Sequence, residues 1–148
     1  MHYWDTSAVL KLYAPEPDST YFLKLIAAVK QPVYCSAVSS TEVLCALFRK
    51  EEAGDLKPGG GAALYRRFRR DAKAGRVVLA PYGEDVAAEA ERLAKLAFGE
   101  HRAIMIRSLD LIHVATAVVL GATVLVAADK RLRALASILR LPLLPASH

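Results

Sequence analysis

A chain of 148 residues is long enough for one sizeable hydrophobic core and too short for two well-separated ones, so a single domain over residues 1–148 is expected. With 54% hydrophobic and 24% charged residues the composition excludes a disordered chain, and a net charge of +5 with a pI near 9.4 allows an anionic partner such as nucleic acid without requiring one. Cys35 and Cys45 have no Cys-x-x-Cys spacing and no nearby His to complete a zinc set, so they read as two buried thiols in a reducing compartment.

In chain order, "MHYW" before Asp5 reads as a short first strand, and "TSAVLKLYAPEPD" as a helical turn stopped by Pro15 and Pro17. Asp5 comes before any apolar stretch long enough for a secretory leader, and a cytoplasmic protein is expected. "STYFLKLIAAVKQ" places Phe22, Leu25, Ile26 and Val29 at helical spacing, and "PVYCSAV" is strand-like. "SSTEVLCALFRKEEAG" predicts a helix with Val43, Leu44, Leu47 and Phe48 inward and Gly54 at its C-terminal stop. "KPGGG" reads as a loop, "AALYRRFRRDAKAG" as a basic amphipathic helix ending at Gly75, and "RVVLAPYG" as a third strand.

"EDVAAEAERLAKLAFG" carries acids in its first turn, where the helix dipole favours them. "SLDLIHVATAVVLG" predicts a helix capped by Ser108 and ended by Gly121. "ATVLVAAD" turns β-branched without polar alternation, as in a strand covered on both faces, and "KRLRALASILR" is a last helix before a short edge strand in "LPLLP". Residues 111–128 are apolar enough to raise a membrane span, but Gly121 divides them into two differently patterned halves, which favours helix then strand and no membrane. Strands and helices alternate, implying an α/β domain with a mostly parallel sheet between helical layers.

Asp5, Glu42, Asp110 and Asp129 all stand where a strand or loop gives way to a helix. Each has an ordinary structural role open to it. Asp5 and Asp129 suit N-caps, Glu42 suits a capping box with Ser39, and Asp110 suits a first-turn acid. Parallel topology nevertheless carries all four to one edge, because strands of a parallel sheet end together and the helix opening at Asp110 must run antiparallel to them. Caps alone do not require this, since Ser, Thr or Asn would serve at the Asp positions about as well.

Four ionised carboxylates in one cleft repel, so some must be protonated or a cation must neutralise them. An all-oxygen set without convergent His or Cys favours Mg²⁺ or Mn²⁺ over zinc, an arrangement suited to phosphodiester hydrolysis. Ser7 is positioned either to support such a site through its hydroxyl or to act as a turn residue. The chain carries no Gly-rich phosphate loop, no G-x-S-x-G elbow and no Cys-His pairing that would suggest other chemistry.

Four segments in order, "YWDTSAVLKLY", "SAVSSTEVLCALFRK", "IRSLDLIHVATA" and "VLVAADKRL", resemble the PIN-domain ribonucleases, especially the VapC-type toxins of prokaryotic toxin–antitoxin pairs. The resemblance covers nearly the whole chain. It implies a three-layer α/β/α PIN-like fold, Mg²⁺-dependent endonucleolytic cleavage of RNA, homodimerisation, and a small cognate antitoxin that occludes the site. Asp5, Glu42, Asp110 and Asp129 match the family's acidic quartet, with Asp5 and Asp110 as its metal ligands foremost. The chain departs from its relatives at Ala127, where Thr or Ser is common, which bears on the role of Asp129.

His113, one turn beyond Asp110, stands where it can touch substrate or orient the carboxylate, but reads rather as a packed or partly exposed helix histidine and is assigned no catalytic role. Arg66, Arg67, Arg69 and Arg70 around Phe68 form either an RNA or antitoxin contact surface or a solvated helix face with Leu64 and Phe68 inward. An aspartyl-phosphate phosphatase would need a D-x-D start, which Ser7 breaks. A non-catalytic PIN-like domain that binds RNA or a partner without cutting is the alternative function.

Overall fold

The computed structural model describes residues 1–99 and 104–146. Its elements, in order, are β1 (His2–Trp4), α1 (Thr6–Leu10), α2 (Ser19–Val29), β2 (Val33–Ser36), α3 (Ser39–Glu52) and α4 (Gly60–Lys73). There follow β3 (Val77–Ala80), α5 (Glu84–Gly99), α6 (Ser108–Val119), β4 (Val124–Val126), α7 (Lys130–Ile138) and β5 (Leu143–Leu144). The five strands form one sheet in the order β3-β2-β1-β4-β5, and every pairing is parallel. Helices cover both faces, making the three-layer α/β/α sandwich.

Side chains alternate across a strand, so consecutive strand residues feed opposite layers. Tyr3 and Leu125 point into a core with α5, α6 and α7, built around Leu93, Val114 and Leu135. Their neighbours Trp4 and Val126 point the other way, into a core with α1 to α4 that includes Phe22, Leu47 and Phe68. Because both faces of β4 are covered, Leu125, Val126 and Ala127 are all fully buried, which accounts for the absence of polar alternation in "TVLVAA". Gly54, Gly75 and Gly121 follow α3, α4 and α6 with φ between +64° and +82°, the left-handed conformation that ends a helix most easily at glycine.

The structure corrects several local expectations. Phe48 is 44% exposed, because the buried stripe of α3 is as narrow as Val43 and Leu47, with Leu44 half-buried on its flank. Cys45 is also exposed, unlike Cys35, since it turns away from that stripe. Gly60 and Gly61 already belong to α4, and Gly61 approaches the Leu47 carbonyl so closely that a Cβ there would be tightly crowded.

The capping box of Ser39 and Glu42 does not form. Val38 holds the N-cap position of α3 in a helical conformation, so Ser39 lies inside the first turn and Glu42 is free for other partners. Likewise Arg107, with extended φ −84° and ψ 156°, is the N-cap residue of α6 in place of Ser108. Among the described residues no helix is long and apolar enough to cross a membrane.

Candidate active site

The register that aligns Trp4 with Val126 makes β1 and β4 end side by side, and the Asp5 amide donates to the Val126 carbonyl at 3.0 Å. Asp5 and Asp129 thus follow adjacent strands at the carboxyl edge of the sheet. The first turns of α3 and α6 reach the same edge, bringing Glu42 and Asp110. All four acids line one cleft of about 760 Å³, together with Thr6, Ser7, Arg107 and His113. The convergence expected from parallel topology is present.

Asp5 is the most enclosed of the four, at 3% exposure. One carboxylate oxygen caps α1 through the Ala8 amide at 2.9 Å, and the Ser7 hydroxyl donates to the carboxylate at 2.8 Å. The same Ser7 oxygen accepts from the Ala128 amide at 3.0 Å, tying the start of α1 to the end of β4. Burial pushes the Asp5 pKa up to about 6, reinforced by the charge of Asp129 and opposed by His113, the Ala8 amide and Ser7. Asp5 has no ion pair of its own among the described residues.

Glu42 is held by a buried histidine. His113, 2% exposed, places Nε2 2.6 Å from Glu42 Oε2 and Nδ1 2.7 Å from the Tyr3 hydroxyl. Burial keeps the Tyr3 pKa well above its ordinary value, so its hydroxyl stays protonated and pairs with Nδ1 while Nε2 pairs with Glu42. The Thr6 hydroxyl lies 2.5 Å from the same Glu42 oxygen and 3.0 Å from the Ser39 hydroxyl. Burial opposes ionisation of Glu42 most strongly, yet the hydrogen bond and charge of His113, with Thr6 and Arg107, outweigh it and lower its pKa.

Asp110 and Asp129 share one cation. Arg107 Nε donates to Asp110 Oδ2 at 2.7 Å, and its Nη2 donates to Asp110 Oδ1 at 3.0 Å and to Asp129 Oδ2 at 2.9 Å. The remaining oxygen of Asp129 caps α7 through the Arg131 and Leu132 amides at 2.9 and 3.2 Å. Among the described residues no three His, Cys, Asp or Glu side chains stand close enough together to hold a metal ion as placed. The donor chemistry nevertheless suits a hard divalent cation: the acids are all-oxygen donors in one cleft, two of them are already paired with a positive charge, and Asp5 forms no ion pair among the described residues.

Arg66, Arg67, Arg69 and Arg70 are exposed on α4, with Phe68 buried and Leu64 half-buried as expected, and they lie outside the cleft lining. Arg67 stacks over the Tyr13 ring at 5.5 Å, and Arg69 reaches the Ser40 hydroxyl at 3.4 Å. Arg69, Arg70 and Lys73 rim a second cavity beside β3. Among the described residues, the arginines that line the cleft are Arg49 and Arg107. Sequence reasoning missed Arg107 and Thr6, which carry no signal in isolation. The i,i+3 spacing of Arg107 to Asp110 is the one sequence cue that could have found that pair.

A family model described as PIN domain matches residues 3–138. No curated protein matches the chain. Among solved structures, the crystal structure of FitAcB from Neisseria gonorrhoeae aligns over 100% of this chain and 99% of its own, with a TM-score of 0.70 and 20% sequence identity. That likeness supports the fold.

Proposed function

Because the chain belongs to the PIN-domain family, we propose that it is a divalent-metal-dependent endoribonuclease and the toxin of a toxin–antitoxin pair. PIN domains are in general metal-dependent nucleases. The observation that carries the proposal is the gathering of Asp5, Glu42, Asp110 and Asp129, from four separate elements, into one cleft at the carboxyl edge of a parallel sheet.

In this reading Asp5 and Asp110 hold Mg²⁺ or Mn²⁺, with Glu42 and Asp129 completing or supporting the set. The bound ion would supply Lewis acidity toward a phosphate oxygen and toward the attacking water. The chain's own residues supply the placement. Ser7 fixes the Asp5 carboxylate, His113 and Thr6 hold Glu42 ionised and oriented, and the amides of α7 fix Asp129. The cleft cations Arg49 and Arg107 offer charge to the RNA phosphates, and the arginines of α4 offer a further basic face to RNA or antitoxin. The proposal extends to a cytoplasmic homodimer in which residues 1–148 act as one domain and a small antitoxin covers the cleft.

RNA cleavage by the purified protein in Mg²⁺ or Mn²⁺ tests the activity. EDTA should abolish it, and Asp5→Asn and Asp110→Asn should each lower it by about 10² or more, as loss of a ligand or of its orientation typically does. Unchanged cleavage in both variants would refute the assigned site. Co-purification of a small protein that blocks cleavage tests the toxin assignment.

A second reading has one observation in its favour. Arg107 pairs with both Asp110 and Asp129, and a PIN-like domain whose acids are balanced by its own arginine can bind RNA or a partner without cutting. Tight RNA binding with no cleavage in any divalent metal would favour it.

A further inference from the structure

The four oxygens of Asp110 and Asp129 are all engaged. Arg107 takes both oxygens of Asp110 and one of Asp129, and the first amides of α7 take the last. The guanidinium reaches both acids at once because Arg107 is the N-cap residue of α6, where the extended backbone sends its side chain back over the helix start. Its side chain is 58% exposed while that of Asp110 is 8% exposed, so the arginine covers the acid from the solvent side. Removing it would require no rearrangement of the core.

A guanidinium in this position and a divalent cation on the same carboxylates exclude one another. They need the same lone pairs, and their like charges repel strongly at contact distance in a partly buried site. From this geometry we propose that Arg107 is a tethered competitor for the metal: it neutralises Asp110 and Asp129 in the metal-free protein and must swing outward before a divalent ion can load. This rests on the metal-site reading above. Two consequences follow from the charge balance. The metal-free protein keeps its acid pair paired and folded, and metal affinity is set by the exchange of one cation for another, lower than the acids alone would give.

The alternative role for Arg107 has the opposite sign. An arginine that merely holds Asp110 and Asp129 in a ligating orientation would strengthen metal binding, and its loss would weaken it. Mn²⁺ binding to metal-stripped protein, followed by electron paramagnetic resonance of the free ion or by calorimetry, separates the two without any RNA. Arg107→Ala should bind Mn²⁺ about tenfold more tightly than wild type or better. Arg107→Lys should fall between, since an ammonium keeps the charge and loses the bidentate fork.

Thermal melts give an independent reading. Metal-free Arg107→Ala should melt below wild type, because the acid pair is left unpaired, and Mn²⁺ should raise its Tm by more than it raises that of wild type. Should Arg107→Ala fail to fold without metal, Arg107→Lys and Arg107→Gln carry the same comparison. Equal or weaker Mn²⁺ binding in the variants, with binding still lost in Asp110→Asn, overturns the competitor role alone. No Mn²⁺ binding by any of these proteins overturns the metal site and the competitor role together.

Discussion

Asp5 and Glu42 show how two carboxylates in one cleft take opposite electrostatic characters from their partners. Burial raises Asp5 to about 6, whereas His113 and Thr6 bring Glu42 below its ordinary value against the pull of burial. An unfolded Asp titrates at about 3.9, so the folded state favours the protonated form of Asp5. Its contribution to stability is therefore full below about pH 4 and is lost as pH rises through about 6. In EDTA, the stability of wild type relative to Asp5→Asn, measured by urea unfolding, should fall between about pH 4 and pH 7. A flat difference would remove the electrostatic account of Asp5. His113 makes a separate case: His113→Ala leaves the Tyr3 hydroxyl and Glu42 without their shared partner. A loss of about 1–3 kcal/mol is expected in the same assay, and any residual nuclease activity should show the Glu42 ionisation moved toward neutral pH.

Helix starts, more than helix bodies, build the cleft. The first turns of α1, α3, α6 and α7 each bring one residue or cap to it, and small shifts at those starts decide which side chain is available. Had Ser39 capped α3, Glu42 would be turned to its own backbone; because Val38 holds that position, Glu42 reaches His113. Had Ser108 capped α6, Arg107 would lie outside the helix, with no fixed relation to Asp110. Helix α4 makes its contribution through one exposed face. If that face follows an RNA strand, replacing Arg69 and Arg70 together with Ala should weaken RNA binding at low salt. It should also flatten the dependence of log K on log salt by about 0.7 for each phosphate no longer neutralised. An unchanged slope would mark the face as solvated or as a surface for another partner. The helix itself should survive, since Phe68 and not the arginines anchors it.

At the scale of the whole molecule the sheet divides the chain into two cores and holds the acids at their common rim. Leu125 belongs wholly to the α5–α7 side, so Leu125→Ala should cost about 2–5 kcal/mol by urea unfolding. Val118→Ala, on an exposed helix face, should stay within about 0.5 kcal/mol of wild type. Much of this architecture was legible in residue order. Alternating strand and helix patterns, the doubly covered "TVLVAA" strand and the glycines that end helices are local signals, and the chain obeys them. The meeting of Asp5, Glu42, Asp110 and Asp129 was legible too, because parallel topology leaves strand ends no other edge. What stayed hidden was which partner each acid takes. The pairing of Glu42 with His113 joins residues 71 positions apart, and that of Arg107 with Asp129 spans 22, so no local spacing encodes either. The exposure of Phe48 and Cys45 depends on how wide a stripe of α3 is covered by its neighbours α1 and α4, which its helical period leaves open. The sequence by itself determined the alternation of strands and helices, the mostly parallel sense of the sheet and the edge where the carboxylates gather, because these follow from periodicity and chain connectivity. Only the tertiary structure decided how those carboxylates are neutralised, because a charge inside a cleft answers to whatever the fold brings within a few ångströms, however distant in the chain.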